Sequence, residues 1–435
     1  MIVLILVGSF VLLMLLGVPI AFAIGIAAAL AALGYAGMGN PFVIDSVTLV
    51  QKMLFGINSF PLLAVIFFVF TGAVMAHGGV AKRLVAMAEV LVGRFPGGLA
   101  QINVLSSMFF GGVSGSAVAD VSSIGRMMIG AMVADGYSKS FATAITLTSA
   151  TMGPIIPPSI AMILFAYLAG NVSVGGLLLG GVVPGILIGL GQLIVAYVHG
   201  RLYHPTRTPA LPTAEKLRRI GAGLAGLFTL VIILGGITAG ITTATEAGAI
   251  AALYALFLTI VVYREIHLRD LPAILWETCL TTAVVLFLIA TTSVFSFILA
   301  YEKVPAWVAE NFLSLADDRW MLLILLNLLL LVTGMFIDMT PALIMIVPII
   351  LPLAQKLGVD LVHLGVLMVV NLAFGLITPP VGTSLFVGCR IAGLPITAVV
   401  KPMLPLLAVM IATLFLVTFV PELVLWLPRQ FGFVG

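Results

Sequence analysis

"TMGPIIPPSI", residues 151–160, sets a glycine and three prolines inside a stretch, 140–200, that contains no Asp, Glu, Lys or Arg. A run that long and apolar reads as membrane-spanning helix, at roughly 20 residues per crossing. Proline is the least favourable residue in a helix interior, because it removes a backbone donor and clashes with the preceding turn. "FGLITPPVGTS", residues 374–384, repeats the interruption inside another charge-free run, 361–389. Two broken apolar helices at corresponding places are the observation from which the fold follows.

The rest of the chain supplies the frame around them. It has 435 residues, of which 62% are hydrophobic and 8% charged. Its mean hydropathy is +1.30. A soluble domain needs far more charge to cover its surface, and a β-barrel would show short alternating strands, so the expected class is an all-α polytopic membrane protein. Further charge-free runs cover 1–44, 53–81, 95–119, 220–245, 278–301, 320–337 and 402–421. The run 140–200 holds two crossings, with "AGNVSVGG" (169–176) as the turn. The first apolar stretch has no preceding basic residue and reads as a retained span rather than a cleaved signal. The hydrophilic loop "GRLYHPTRTPALPTAEKLRR" (200–219) carries five Lys/Arg against one Glu, which points it to the cytoplasm and divides the chain in two. The termini are then expected on opposite sides, the N-terminus cytoplasmic. Cys279 and Cys389 lie in apolar runs and suggest neither a disulfide nor a metal site.

The halves are related. An ungapped shift of 222 residues pairs Gly112 with Gly334, Gly136 with Gly358, Gly153 with Gly375, Pro157 with Pro379 and Pro158 with Pro380. Apolar coincidences are cheap in such a sequence, so the Gly and Pro matches carry the weight. The loop before the first unit holds Lys82, Arg83 and Arg94 against Glu89. The loop before the second holds Glu302, Glu310, Asp317 and Asp318 against Lys303 and Arg319. Opposite charge balance places the loops on opposite sides, which makes the halves inverted copies, an architecture common among secondary transporters.

Inversion gives the prolines a purpose. Non-helical backbone survives at membrane depth only where protein buries it or where it lines a polar cavity. Freed carbonyls can then coordinate a cation, and exposed helix N-termini can face an anion. Upstream of each break, "FFGGVSGSAVAD" (109–120) and "VTGMFIDMTPA" (332–342) read as tips of re-entrant helical hairpins. Ser114, Ser116, Ser149 and Thr151 offer oxygen ligands in the first unit. Asp338, Thr340, Asn371 and Thr378 offer them in the second. Hard oxygens of this kind suit Na⁺; close helix packing is the alternative role for the small residues. Asp120 can reach the cavity or cap the Ser122-Ser123 turn. Arg126 can bind a substrate carboxylate or snorkel to the surface. Glu246, in "ITTATEAGAI", reads as a helix-start charge, and Arg390 as an interface anchor. His77, His199, His204, His267 and His363 show no metal-ligand spacing. The amphipathic stretch 40–58 is expected to lie along the membrane as a scaffold arm.

At "FFGGVSGSAVAD", "GPIIPPS", "GLITPPVG" and "NSFPLLAVIFFVFTGAVM" (58–75) the sequence resembles the large membrane subunit of tripartite ATP-independent periplasmic (TRAP) transporters, the DctM-like family. The likeness runs over nearly the whole chain. It implies an elevator-type importer in the bacterial inner membrane, driven by a sodium gradient and carrying a carboxylate-bearing solute such as a dicarboxylate, sugar acid or sialic acid. It further implies a DctQ-like small membrane subunit and a DctP-like periplasmic substrate-binding protein as partners, with Na⁺ the coupling ion, no organic cofactor and no nucleic acid. Carried over by motif, sodium would be held by Ser114, Gly115 and Ser116 with Ser149 and Gly153, and by Gly334, Asp338 and Thr340 with Asn371 and Gly375. The substrate-facing set would be Ser116, Asp120, Arg126, Pro157, Pro158, Thr340, Thr378 and Pro379. Two departures bear on substrate choice: Ala117, where relatives often carry a further serine, and Arg126, where they often carry a small polar residue.

The expected organisation is scaffold at 1–81, a first transport unit at 82–200, loop and scaffold at 201–301, a second unit at 302–400 and a last span at 401–435. An ion antiporter on a similar repeat is the nearest rival and would need no binding protein. A more distant one is an intramembrane serine protease, since "GVSG" (112–115) matches a GxSG pattern with Ser114 as nucleophile. That chemistry requires a histidine within hydrogen-bond reach, and His363 is the one candidate inside the second half.

Overall fold

Helix after helix follows from the composition, because a backbone in lipid must satisfy its own hydrogen bonds. The structure, a computed structural model, describes residues 1–37, 46–203, 211–315 and 319–434. Parts of the expected scaffold arm and of the basic loop, together with Asp317 and Asp318, lie outside the described residues. Within them all regular elements are helical, and eight helices are long and apolar enough to cross a membrane. Several ends are fixed by local chemistry. Pro61 sits in the first turn of Phe60–His77, where its missing N–H costs nothing. Thr243 and Glu246 form a reciprocal capping box at the start of Ala244–Phe257, so Glu246 is the helix-start charge the sequence suggests.

The two interrupted segments become two four-part units. In the first, Gly98–Ser114 runs to a tip and Ala117–Ala134 returns; Lys139–Ala150 then leads into the break and Ile160–Ala169 leaves it. In the second, the parts are Arg319–Phe336, Met339–Lys356, Leu361–Gly375 and Thr383–Ala392. Return arms and entering half-helices begin at positions separated by the same 222 residues that relate the glycines and prolines. Both breaks contain a cis Pro-Pro bond, at Pro157-Pro158 and at Pro379-Pro380. The sequence repeat is therefore a repeat of structure, element by element.

Within each unit the hairpin's first arm lies on the entering half-helix at glycine contact distance. A Cβ on Gly111 would stand 2.9 Å from the Gly153 Cα, and one on Gly375 would stand 2.5 Å from the Gly334 Cα. Lipid is as apolar as leucine, so membrane helices associate through such close packing and through polar links rather than by expelling water. The links are present. Asn103 Nδ2 donates to Thr146 Oγ1 at 2.6 Å in the first unit. In the second, Asn371 Nδ2 donates to the Asn327 carbonyl at 2.9 Å and to its Oδ1 at 2.8 Å. Asn327 in turn donates to Thr418 Oγ1 at 3.0 Å, which ties the unit to the helix Ile396–Phe419.

The units also exchange their outgoing half-helices. Ile160–Ala169 packs on the second hairpin's return arm, and Thr383–Ala392 packs on the first hairpin's return arm and on Lys139–Ala150. At the latter contact a Cβ on Gly388 would meet Leu147 Cδ2 at 2.6 Å. Each break thus places half of its helix against the other unit. The long helix Leu271–Tyr301 packs against the scaffold helices Ile20–Gly37 and Phe60–His77 and against the second hairpin.

Candidate functional site

The first tip is built by Gly115, whose φ of +63° ends Gly98–Ser114 in a left-handed cap that glycine adopts without strain. Ser116 follows in extended conformation and its side chain accepts from the Ala119 N–H at 3.3 Å, capping the return arm. The broken segment closes tightly over this turn. A Cβ on Gly115 would lie 2.6 Å from the Pro158 carbonyl oxygen, and one on Gly153 would lie 3.1 Å from that of Ser116. Gly72 of the scaffold brings its backbone equally near the Ser114 carbonyl, where a Cβ would sit at 3.2 Å. The carbonyls of Ser114, Ser116 and Pro158 each meet a different glycine, Gly72, Gly153 and Gly115, so backbone packs closely on backbone around the tip. Ser159 caps Ile160–Ala169 by accepting from the Met162 N–H at 3.2 Å.

At the second tip the position of Ser116 is taken by Asp338. Its Oδ1 accepts from Thr383 Oγ1 at 2.8 Å, joining the tip to the start of the outgoing half-helix. Gly334 and Gly375 press together as described. Gly382, with φ +53°, would bring a Cβ within 2.9 Å of the Leu376 carbonyl oxygen and 3.1 Å of that of Thr378. Each tip thus combines the carbonyl ends of two helices, Ser114 with Ala150 or Phe336 with Gly375, and the N-terminal ends of two others. Carbonyl ends favour cations and N–H ends favour anions.

Two cavities open at these tips. One, of about 600 Å³, is lined by Ser114, Ser116, Ser122, Ser123 and Arg126, with His77 and Glu277 opposite. His77 Nε2 and Glu277 Oε2 are 3.6 Å apart there. The other, of about 570 Å³, is lined by Asp338, Thr340 and Pro341 against Pro19–Phe22 and Val284–Leu288. Thr281 lines both, so the long helix Leu271–Tyr301 forms a wall common to the two cavities.

The expected site residues distribute unevenly over this geometry. Ser114, Ser116, Arg126, Asp338 and Thr340 line cavities, and Gly115, Gly153, Gly334 and Gly375 provide the close backbone approaches. Asp120 does not line the cavity. Ala119, Ser122, Ser123 and Arg126 fall on the cavity face at helical spacing, which turns Asp120 and Ile124 to the opposite, buried face. Pro157 and Pro158 face the tip glycines through their carbonyls and line neither cavity, and neither does Pro379. Half-buried Thr378 spends its hydroxyl on the Phe374 carbonyl at 2.7 Å, and buried Ser149 on that of Ile145 at 2.7 Å. Thr151 is likewise bonded to the Thr148 carbonyl, at 2.7 Å. Asn371 grips the hairpin arm through its amide nitrogen, while its Oδ1 is buried without a partner.

Residues that the sequence reasoning did not assign to a site are Thr383, Thr281, Asn327 and the pair Ser122 and Ser123, the last named only as a turn. Thr383 stands inside the quoted break, and the two serines continue the spacing set by Ala119, so each left a signal. Thr281 left none. His363, the base a protease would need, directs Nε2 to the Val417 carbonyl at 2.7 Å. The Ser114 hydroxyl stays within its own turn, 3.4 Å from the Ser116 N–H.

Comparison with known proteins agrees with this architecture. The family model for the tripartite ATP-independent periplasmic transporter, DctM component, matches residues 7–423. The chain is 40% identical over 389 residues to the C4-dicarboxylate TRAP transporter large permease protein DctM of Pseudomonas aeruginosa, covering 89% of this chain and 91% of that one. It is 39% identical over 381 residues to the sialic acid TRAP transporter large permease protein SiaM of Vibrio cholerae, covering 88% and 89%. Among solved structures, the YdaH transporter of Alcanivorax borkumensis has a similar fold, with a TM-score of 0.57 at 15% identity over 90% of this chain and 91% of that one.

Proposed function

The chain belongs to the DctM component family of tripartite ATP-independent periplasmic transporters, multi-pass proteins of the bacterial inner membrane, and on that premise we propose that it imports an organic-acid anion by sodium symport. The observation that carries this reading is the pair of glycine-closed tips, each opening on a cavity and both cavities sharing Thr281. Relatives named for C4-dicarboxylate, sialic acid and isethionate transport all carry organic-acid anions, which supports an anion bearing a carboxylate or a sulfonate as the solute.

The residues divide the work by charge. Arg126 is exposed to the first cavity and makes no ion pair among the described residues, so its guanidinium is free to take a carboxylate in bidentate fashion. The hydroxyls of Ser122 and Ser123 and the N-terminal ends of Ala117–Ala134 and Ile160–Ala169 add neutral donors around the same space. The carbonyls of Ser114, Ser116 and Pro158, and in the second unit Asp338 with the carbonyls around Gly334 and Gly375, offer oxygen ligands of the kind sodium takes. Cation and anion bound near one another offset the desolvation that either would face alone.

Interlocking of the two units supports movement as one body. The outgoing half-helices are exchanged between hairpins, so neither unit shifts without carrying part of the other, whereas Leu271–Tyr301 packs mainly on the scaffold helices and less on the second hairpin. An elevator-like displacement of that body past the wall at Thr281 moves the site from one face to the other. The working assembly includes a small membrane subunit and a periplasmic binding protein, as the family implies.

The test is uptake of a labelled C4-dicarboxylate or sialic acid into proteoliposomes that hold the chain with its small subunit, binding protein outside. An inward sodium gradient should drive accumulation and an equal potassium gradient should not. Equal uptake under both ions refutes sodium coupling, and uptake without the binding protein favours a simpler carrier.

A further inference from the structure

Asp120 lies in the return arm of the first hairpin, 1% exposed, with neither carboxylate oxygen holding a hydrogen-bond partner. Ser107, on the hairpin's first arm Gly98–Ser114, is the buried polar side chain that faces it. Asn103 stands one helical turn before Ser107 on the same face, and its Oδ1 is buried and unpartnered too. Asp120, Ser107 and Asn103 thus bring a buried carboxylate, a hydroxyl and an amide oxygen to one inter-arm seam, and buried polar groups of this kind are almost always satisfied.

We propose that Asp120 and Ser107, with Asn103 a turn away, form a buried sodium site inside the first hairpin, separate from the site at its tip. The proposal rests on the sodium-coupled reading above and adds an ion to it. Among the described residues no side-chain cation is available to do the same work. Gly98–Ser114 contains no charged residue. On the other elements packed against Ala117–Gly125, Lys82, Arg126, Lys139 and Arg390 are exposed, Arg83 is paired with Glu265 and Glu89 with Arg219. A carboxylate taken out of water without a counter-charge is strongly disfavoured. One negative charge among hard neutral oxygens suits a hard monovalent ion, and no group of three His, Cys, Asp or Glu side chains among the described residues would hold a heavier metal. The helix also widens into a π turn at Val121–Gly125, directly after Asp120. Such turns loosen carbonyls from the regular ladder and recur at functional sites. Sodium here neutralises the hairpin interior, so the charge state of the moving body depends on an ion that never contacts substrate.

Two readouts on the full chain in detergent test this, with K⁺ replacing Na⁺ at constant ionic strength. The first is the melting temperature against sodium concentration, whose dependence on the logarithm of concentration counts the ions bound. The second is the infrared difference spectrum between the two salts, which reports carboxylate coordination directly. Asp120→Asn should lose one ion from the first and the corresponding carboxylate band from the second. In potassium it should melt above the wild type, because an unpaired buried charge has gone. Ser107→Ala keeps the charge and should raise the sodium midpoint of that band about tenfold, which preserves the test if Asp120→Asn fails to fold. The proposal is overturned if Asp120→Asn leaves the sodium dependence and the band unchanged while Ser116→Ala alters them, an outcome that spares the tip site. A neutral carboxylic acid band from Asp120 in saturating sodium overturns it as well, in favour of a proton. Absence of any sodium response in the wild type overturns both this site and the sodium reading it rests on.

Discussion

Replacing Gly375 by alanine puts the central packing contact to the test. An ideal Cβ there would sit 2.5 Å from the Gly334 Cα and carbonyl carbon and 2.7 Å from its oxygen. Carbon atoms pack at about 3.5–4.0 Å, so the hairpin arm and the entering half-helix must part by about 1 Å. All three neighbours are backbone, so no side chain can rotate away. Overpacking of this sort costs about 1–3 kcal/mol. The same separation acts one turn away, where Asn371 Nδ2 meets the Asn327 carbonyl at 2.9 Å. Stretching that bond past hydrogen-bond range adds about 1 kcal/mol. We expect Gly375→Ala to lower the melting temperature of the purified chain by several degrees and to blunt its stabilisation by sodium, since the carbonyls around the tip move with the arm. Gly130→Ala is the matched control. Gly130 lies in the helix Arg126–Ala134 with nothing within 4 Å of a new Cβ, so alanine there should be neutral or stabilise by about 0.4–1 kcal/mol. A Gly375→Ala protein that melts with the wild type and keeps its sodium response would show that the two backbones are not held at the distance on which the site depends.

Three further perturbations address the remaining links. Asn371→Ala should destabilise by about 1–3 kcal/mol, because the Asn327 carbonyl and side chain lose their donor, and a double-mutant cycle with Asn327→Ala should show coupling between them. Thr383→Val removes the hydroxyl that donates to Asp338 at 2.8 Å. Its sodium midpoint should shift while Thr333→Val, whose hydroxyl bonds only within its own helix, leaves it in place. Arg126→Ala should leave the melting temperature unchanged, since the side chain is exposed and unpaired, yet reduce uptake at least tenfold through a higher half-saturation for the anion. Unaltered uptake by that variant would remove Arg126 from the anion site.

By itself the sequence determined the class of the protein, the existence of two related units and the places where their helices break. These are local matters. Apolar stretches without charge have one stable form in lipid, and the Pro-Pro pairs and tip glycines of "TMGPIIPPSI" and "FGLITPPVGTS" interrupt it wherever they stand. Their shared offset then carried the architecture, as the coincidence of Lys139–Ala150 with Leu361–Gly375 bears out. Only the tertiary structure decided which side chains meet. Asp120 is charged and close to a tip, so the sequence sends it toward the cavity; the register of the return arm turns it inward instead, opposite Ser107. Asn371 and Thr378 look equivalent as oxygen donors, yet one reaches across to Asn327 and the other bonds its own helix. Thr281 gives no sequence signal, because its role comes from a long helix passing two cavities built by residues far away in the chain. In helices that are apolar on nearly every side, periodicity cannot point to a partner. The partner is set by how closely two backbones approach, and that distance is a property of the assembled units rather than of either sequence stretch.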